Sequence, residues 1–386
     1  MNLSRLYKEF FESEKAAGLV LIACTIVSIT LANSIFSDQY VQFWQTSFAG
    51  HSLVQWVDDG LMAIFFLLIG IELEREIYQG ELSNFKDALL PIFAAAGGML
   101  IPVGIYFIFN IHSESMAGAG VPMATDIAFA LGLLSLLGNR VPLSLKIFLT
   151  ALAVIDDLGA VLVIAFFYSG ELSWTNLFIA LGIFGFLIIL RRLKVHNLVP
   201  YLIGGIVMWY FMLNSGIHAT ITGILLAFAI PFTDGKKRSP SYLLQHFLHK
   251  PVAFIILPIF AFANTAIVIG GNWVDSLWLA NNLGIMAGLL IGKPLGIVLF
   301  SFIAVSVGIC SLPSDLRWRE IIGVGFLGGI GFTMSIFITF LAFDNPALID
   351  SAKISVIIAS VVAGAIGMIW LHYVLRTPVV DVEEEE

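Results

Sequence analysis

"IFLTALAVIDDLGAVLVIAFFY", Ile147–Tyr168, is an apolar run with two adjacent carboxylates, Asp156 and Asp157, near its middle. A bilayer-spanning helix needs ~20 predominantly apolar residues, and this run is long enough. A charged residue at the centre of such a helix costs roughly 2.5–3.5 kcal/mol, so two cost about 6. The surrounding Leu, Ile, Val and Phe offset that cost, but the acids must not face lipid. Intramembrane acids generally point into a protein interior or a wet cavity and mark an ion or proton path. The plainer alternative is a buried pair that only ties helices together. Adjacent helix positions lie ~100° apart, so Asp156 and Asp157 face different surroundings and have different tasks. A carboxylate pair removed from water can hold protons near neutral pH. A hard cation, which prefers oxygen ligands, can then displace them.

The rest of the chain agrees with a membrane setting. Of 386 residues, 59% are hydrophobic and 12% charged, and the mean hydropathy is +0.96. A soluble domain carries about 25% charged residues. The composition therefore predicts an all-α polytopic membrane protein in contact with lipid. The net charge of −8 says little about partners, and with no basic surface evident, nucleic acid is not expected as one. Cys24 and Cys310 form no disulfide framework. No cleavable signal peptide is evident at the N-terminus.

Twelve apolar runs are expected as spans, near 15–33, 56–79, 88–110, 121–137, 146–168, 174–190, 198–213, 216–231, 251–270, 283–308, 320–343 and 352–375. Their connections supply a check, because Lys and Arg accumulate on the cytoplasmic side. With twelve spans, one face collects Arg5, Lys8 and Lys15, then Arg75 and Lys86, then Arg140 and Lys146. It goes on to collect Arg191, Arg192 and Lys194, the loop residues Lys236, Lys237, Arg238 and Lys250, and finally Arg317, Arg319 and Arg376. The other face has only Lys353. A missed span would scramble this alternation, so both termini are expected in the cytoplasm. The expected organisation is a lead segment 1–14, a single transmembrane domain 15–375 and an acidic tail 376–386. The stretch "TDGKKRSPSYLLQHFLHK" reads as the longest basic linker.

The remaining basic residue, Lys293, lies inside the tenth run. A buried Lys is pushed toward neutrality unless an acid pairs with it; snorkelling to the interface is the bland alternative. Gly284, Gly288, Gly292 and Gly296 surround it at four-residue spacing, which suits close helix packing. "GLLIGKP" imitates a phosphate loop but has Ala287 and Pro294 at two required positions, which excludes an ATPase. No nucleophile–base or metal-ligand spacing stands out elsewhere, so an enzyme is not expected.

Two runs look interrupted. The fourth carries Pro122, Thr125 and Asp126, and the eleventh carries Gly323, Gly325, Gly328, Gly329 and Gly331. A broken helix exposes partial charges of about +0.5 and −0.5 at its inner ends. If the breaks cross, like ends meet; Asp126 then balances the N-termini and Lys293 the C-termini. The glycines read alternatively as packing residues, and Thr125 as a hydroxyl bonded back to its own helix. Runs three to five and ten to twelve each hold a broken member in the middle. Separated by an odd number of spans, the triplets 88–168 and 283–375 would form inverted repeats crossing at the midplane, an arrangement typical of transporters.

"ATDIAFALG", "LKIFLTALAVIDDLGA", "SGIHATITG", "LPIFAFANTA", "GLLIGKPLGI" and "GIGFTMSIFI" together resemble the NhaA-type bacterial sodium/proton antiporters over nearly the whole chain. The resemblance implies that Asp157 is the main cation ligand and proton carrier. It implies that Asp156 pairs with Lys293 in the proton-loaded state, with Thr125 and Asp126 beside the cation, so that Asp157, Asp156 and Thr125 are the metal-ion ligands. It implies electrogenic exchange of Na+ or Li+ for protons in the bacterial inner membrane, without a cofactor. A homodimer would form through an external hairpin, here within "SIFSDQYVQFWQTSFAGHSLVQW". Glu72, Glu76, His218, His246 and His249 would match a pH-responsive cytoplasmic mouth. Gln245 stands where characterised members carry a Glu. A cation channel or sodium-coupled symporter on the same repeat is the competing reading. A retinal protein using Lys293 is the remote one, opposed by twelve spans and broken runs.

Overall fold

A computed structural model describes residues 3–168, 170, 172–232, 239–271 and 273–375, with the side chains of 3–14, 81, 85, 87 and 114 left aside. The charges of Arg5, Lys8, Lys236, Lys237, Arg238 and Arg376, and the acidic tail, lie outside the described residues.

The chain is almost entirely helical. Helix α1 is Leu3–Ala32 and α2 is Ser37–Gln45; strands β1, Ser47–Phe48, and β2, His51–Ser52, form a small antiparallel hairpin. Next come α3 (Leu53–Gln79), α4 (Phe85–Asn110), α5 (Ile127–Leu136), α6 (Leu143–Phe167), α7 (Trp174–Arg192), α8 (Val199–Leu213) and α9 (Ile221–Ala229). The last are α10 (Pro240–Asn264), α11 (Ala280–Ser306), α12 (Trp318–Gly328), α13 (Phe332–Ala342) and α14 (Pro346–Val374). Among the described residues, nine helices are long and apolar enough to cross a membrane, or ten if the bent pair α12–α13 is one span. This is fewer than the twelve expected. At ~1.5 Å per residue, α8 and α9 fall short of the ~30 Å hydrocarbon core. Large apolar side chains such as Ile108, Phe166, Phe167 and Ile206 face outward. Such an exposed surface suits lipid, and the protein is a multi-pass membrane protein.

Both expected interruptions are present. The fourth run is a 3-10 helix over Glu114–Met123, then extended backbone at Ala124 and Asp126, then α5. The eleventh bends by 45° between α12 and α13. One expected linker is helix instead. Ser239 caps α10 by accepting from the Tyr242 N–H, with Pro240 at the first turn, so "SYLLQHFLHK" is helical. Ser followed by Pro is an N-terminal signal that the basic composition obscured. Pro251 then removes a backbone donor, and the helix widens into a π segment over Val252–Ile256.

Helices α4, α6, α11, α12, α13 and α14 pack as one group, and α3, α9 and α10 as another, with α1 between α5 and α10. The glycine stripe of α11 lies on α4. A Cβ at Gly296 would sit 2.1 Å from the Gly97 carbonyl oxygen, and one at Gly292 would sit 2.8 Å from Pro102 Cα. The packing reading of the stripe is therefore the right one.

Candidate cation-exchange site

Helix α6 carries Asp156 and Asp157 halfway along its length, 0% and 1% exposed. The ~100° between them gives them different neighbours. Asp156 Oδ2 accepts from Lys293 Nζ at 2.5 Å. Lys293, 0% exposed, begins the α-helical part of α11 just after a π segment, Gly288–Gly292. Its ammonium also donates to Thr125 Oγ1 at 2.8 Å. Thr125 Oγ1 lies 2.8 Å from Asp156 Oδ2 and 2.8 Å from the Gly328 carbonyl oxygen. A hydroxyl has one proton, so it donates to only one of the two at a time. Thr125 thus joins the acid, the lysine and the C-terminal end of α12.

The two breaks meet. The Asp126 N–H donates to the Ile330 carbonyl at 2.6 Å. Asp126 Oδ1 caps α5 by accepting from the Phe129 N–H at 3.0 Å. Its Oδ2 accepts from the Thr333 N–H at 3.0 Å and the Thr333 hydroxyl at 2.6 Å, in the first turn of α13. One carboxylate therefore serves the positive ends of both half-helices, where an anion is favoured.

Asp157 has none of these partners. Both its oxygens are buried and accept no hydrogen bond from the described residues, and the same is true of Asp156 Oδ1. Three carboxylates and one ammonium share a buried region in which an uncompensated charge costs several kcal/mol. Asp126 accepts from three donors on both its oxygens and Asp156 is engaged through Oδ2 alone, so Asp157 is the acid with both oxygens open to a proton or a hard cation. Among the described residues no three His, Cys, Asp or Glu side chains converge on a resident metal ion.

A cavity lies against α6. It is lined by Phe65, Glu72 and Glu76 of α3, Ala128 and Leu131 of α5, Thr150 and Val154 of α6, and Gln245, His249 and Val252 of α10. Thr150, Val154 and Asp157 follow four- and three-residue steps, so they share one face of α6. At the mouth, His249 Nδ1 lies 3.9 Å from Glu72 Oε1, and Arg75 Nη2 lies 3.9 Å from Glu76 Oε1. The grouping expected from sequence separates here. His246 is exposed, stacks on Tyr242 of its own helix and does not line the cavity. His218 bonds the Tyr168 carbonyl at 2.8 Å, beyond the far end of α6 from Thr150. Sequence reasoning also missed Thr333, although it lies in an interrupted run, as Thr125 does, two residues after Gly331. It missed the Glu74–Arg191 ion pair, 2.8 Å, whose arginine also donates to the Phe228 carbonyl.

The Na+/H+ antiporter 1 family matches residues 8–371. The chain is 64% identical over 381 residues to Na+/H+ antiporter NhaA of Flavobacterium psychrophilum, covering 99% of each chain. It is 59% identical over 386 residues to the protein of the same name from Cytophaga hutchinsonii, covering all of both chains. It is 58% identical over 376 residues to that of Dechloromonas aromatica, covering 96% of this chain and 97% of the relative.

Proposed function

The chain belongs to the Na+/H+ antiporter 1 family and exchanges Na+ for H+; from that premise we propose that the exchange is electrogenic, proceeds by alternating access and runs through Asp157. The observation that carries this reading is the contrast between Asp157, with two unpartnered buried oxygens on the cavity's face of α6, and Asp156, tied to Lys293 and Thr125. In the cycle, Asp157 gives up a proton to the open side and takes a cation in its place. Asp156 supplies a second carboxylate when Lys293 releases it, and Thr125 adds an oxygen. Asp126 holds the two half-helix N-termini together as the site changes sides.

The frame for this cycle is one transporter domain over 15–375, with α8 and α9 as short spans, each completed by flanking residues outside the helix, that bring the total to twelve. Residues 88–168 and 283–375 act as inverted repeats crossing at the two breaks. The asymmetry of basic connections supports both termini, and the cavity mouth, in the cytoplasm of a bacterial inner membrane. Glu72, Glu76 and His249 at the mouth are the groups through which pH would act. Li+ is a second substrate, and the β1–β2 hairpin is the proposed contact of a homodimer.

Moving one net charge through 100 mV is worth about 2.3 kcal/mol, enough for roughly a fifty-fold sodium gradient without any pH difference. The test uses proteoliposomes with an imposed potassium-diffusion potential. Na+ gradients should drive opposite proton movement, faster when the potential draws positive charge in the direction of the protons. Exchange indifferent to potential would overturn electrogenicity. Na+ flux without proton counterflow would favour a channel.

A further inference from the structure

The first half of the fourth run, Glu114–Met123, is a 3-10 helix of ten residues. Runs of this kind longer than three or four residues are uncommon, because their hydrogen bonds are poorly aligned. Pro122 also removes one backbone donor. The segment therefore needs support from outside itself, and within a membrane no water supplies it. Two tyrosine hydroxyls do. Tyr106 of α4, 0% exposed, places its hydroxyl 2.6 Å from the Ser115 carbonyl oxygen. Tyr168, just after α6, donates to the Ala117 carbonyl at 2.6 Å and accepts from the Gly120 N–H at 3.2 Å.

The segment is shaped for these hydroxyls. A Cβ at Gly118 would strike the Tyr106 hydroxyl, and one at Gly120 would sit 2.6 Å from that of Tyr168. Two glycines of one short segment thus face one hydroxyl each. Tyr106 also reaches α11: its hydroxyl lies 2.6 Å from Asn281 Oδ1, and with one proton it donates to one of its two acceptors at a time. The helices that send or adjoin these groups are the ones that matter for exchange, since α6 carries Asp156 and α11 carries Lys293. The held segment runs directly into Ala124 and then Thr125, and the Thr125 hydroxyl meets both Asp156 and Lys293.

We propose that Tyr106 and Tyr168 are positioning residues for the exchange: they fix segment 114–123 against the helices that carry the charged groups, so that Thr125 Oγ1 stays in register with Asp156 and Lys293 when a cation binds. The proposal rests on the reading above that Thr125 adds an oxygen to the cation. Tyr106 acts at the start of the segment, about 20 Å along the chain from Thr125 at the 3-10 rise. Tyr168 acts nearer the break, at Ala117 and Gly120, so its loss should be felt more strongly there. Asn110 Oδ1 also holds the Ser115 hydroxyl, at 2.8 Å. Removing the Tyr106 hydroxyl therefore loosens the segment without freeing it.

The test is the KM for Na+ and the maximal exchange rate in proteoliposomes of the full chain. The variants are Tyr106→Phe, Tyr168→Phe, Thr125→Val and the two Tyr–Thr double variants. Each phenylalanine variant keeps the ring and loses one hydroxyl. The KM should rise about threefold in Tyr168→Phe, the worth of one hydrogen bond, and about twofold in Tyr106→Phe, with the maximal rate nearly that of the wild type. In the Thr125→Val background neither should raise the KM further, because the oxygen being positioned is already gone. A merely structural role would lower the melting temperature and the maximal rate at constant KM, and that result overturns the proposal. So does a KM rise that adds to that of Thr125→Val, which would place the effect elsewhere. Should Tyr106→Phe fail to fold, Tyr168→Phe decides with the same readouts. An unchanged KM in Thr125→Val would sink the cation contact of Thr125 and the positioning with it. A raised KM there, with a phenylalanine variant at the wild-type KM, would sink only the positioning by that tyrosine.

Discussion

Asp126 and Thr333 clasp each other across the two chain breaks. The carboxylate of one accepts both the backbone N–H and the hydroxyl of the other while capping its own helix at Phe129. Hydrogen bonds to a charged group are worth about 1.5–3 kcal/mol each. Asp126→Ala should therefore lower the melting temperature in detergent markedly and abolish exchange, since both half-helices lose their anchor. Thr333→Val keeps the backbone donor and should be mild in stability. A stable, active Asp126→Ala would show that the clasp is dispensable.

For the exchange itself, Asp157→Asn should remove both antiport and Na+ binding, because an amide cannot trade a proton for a cation. Folding should be unaffected or slightly improved, since a buried acid without protein hydrogen bonds is lost. Calorimetry of Na+ binding and vesicle exchange would check both arms. Retained transport would move the site elsewhere.

Competition makes a quantitative prediction. If Na+ and protons share Asp157, linkage is reciprocal. Apparent Na+ affinity should then fall about tenfold per pH unit below the site's titration when one proton is displaced, and about a hundredfold when two are. Calorimetry across a pH series, in buffers of different ionisation enthalpy, reads both slope and proton release. A slope near one that survives in Asp156→Asn would assign the exchange to Asp157 alone. A flat profile without proton release would exclude competition.

Lys293 offers a contrast between charge and shape. Lys293→Ala leaves the Asp156 charge buried without its counter-ion, a loss on the order of 3–5 kcal/mol, and should greatly reduce thermal stability. Lys293→Arg keeps the charge and should retain part of both stability and transport. Equal stability of the alanine variant would make the pair a bystander.

Thr125→Val removes the oxygen shared by Lys293, Asp156 and Gly328 at nearly constant volume. The KM for Na+ should rise, while Thr125→Ser should stay close to wild type. An unchanged KM in the valine variant would take Thr125 out of cation contact.

Away from the site, Glu74 is fully buried against Arg191, which also holds the end of α9 through Phe228. Glu74→Ala should cost roughly 2 kcal/mol, seen as a lower melting temperature, and Arg191→Ala should match it. If the two losses added in the double variant, the pair would not be acting as one unit.

What could be read from the residues divides along physical lines. Asp156, Asp157 and Lys293 were legible because each is costly in an apolar run, and an unexplained cost is a strong signal. The breaks were legible from Pro122 and the glycines between 323 and 331. Partners supplied by the backbone were not legible: the Gly328 and Ile330 carbonyls carry no side-chain signature. The mouth was misread at His218 and His246, because residue type alone does not say which end of a helix, or which face, a histidine occupies. The first half of α10 was missed because its charges resemble a linker, while its Ser239–Pro240 start is a helix signal.

The contact between Gly97 and Gly296 leaves no room for even one methyl group between α4 and α11. Where two backbones meet this closely, with Phe300 and Ile297 packed beside the contact, we expect the pair to move as one body. Paired spin labels on their outward faces should therefore report a single narrow distance at every pH and Na+ concentration. That distance is a built-in ruler against which the movement of every other helix can be measured.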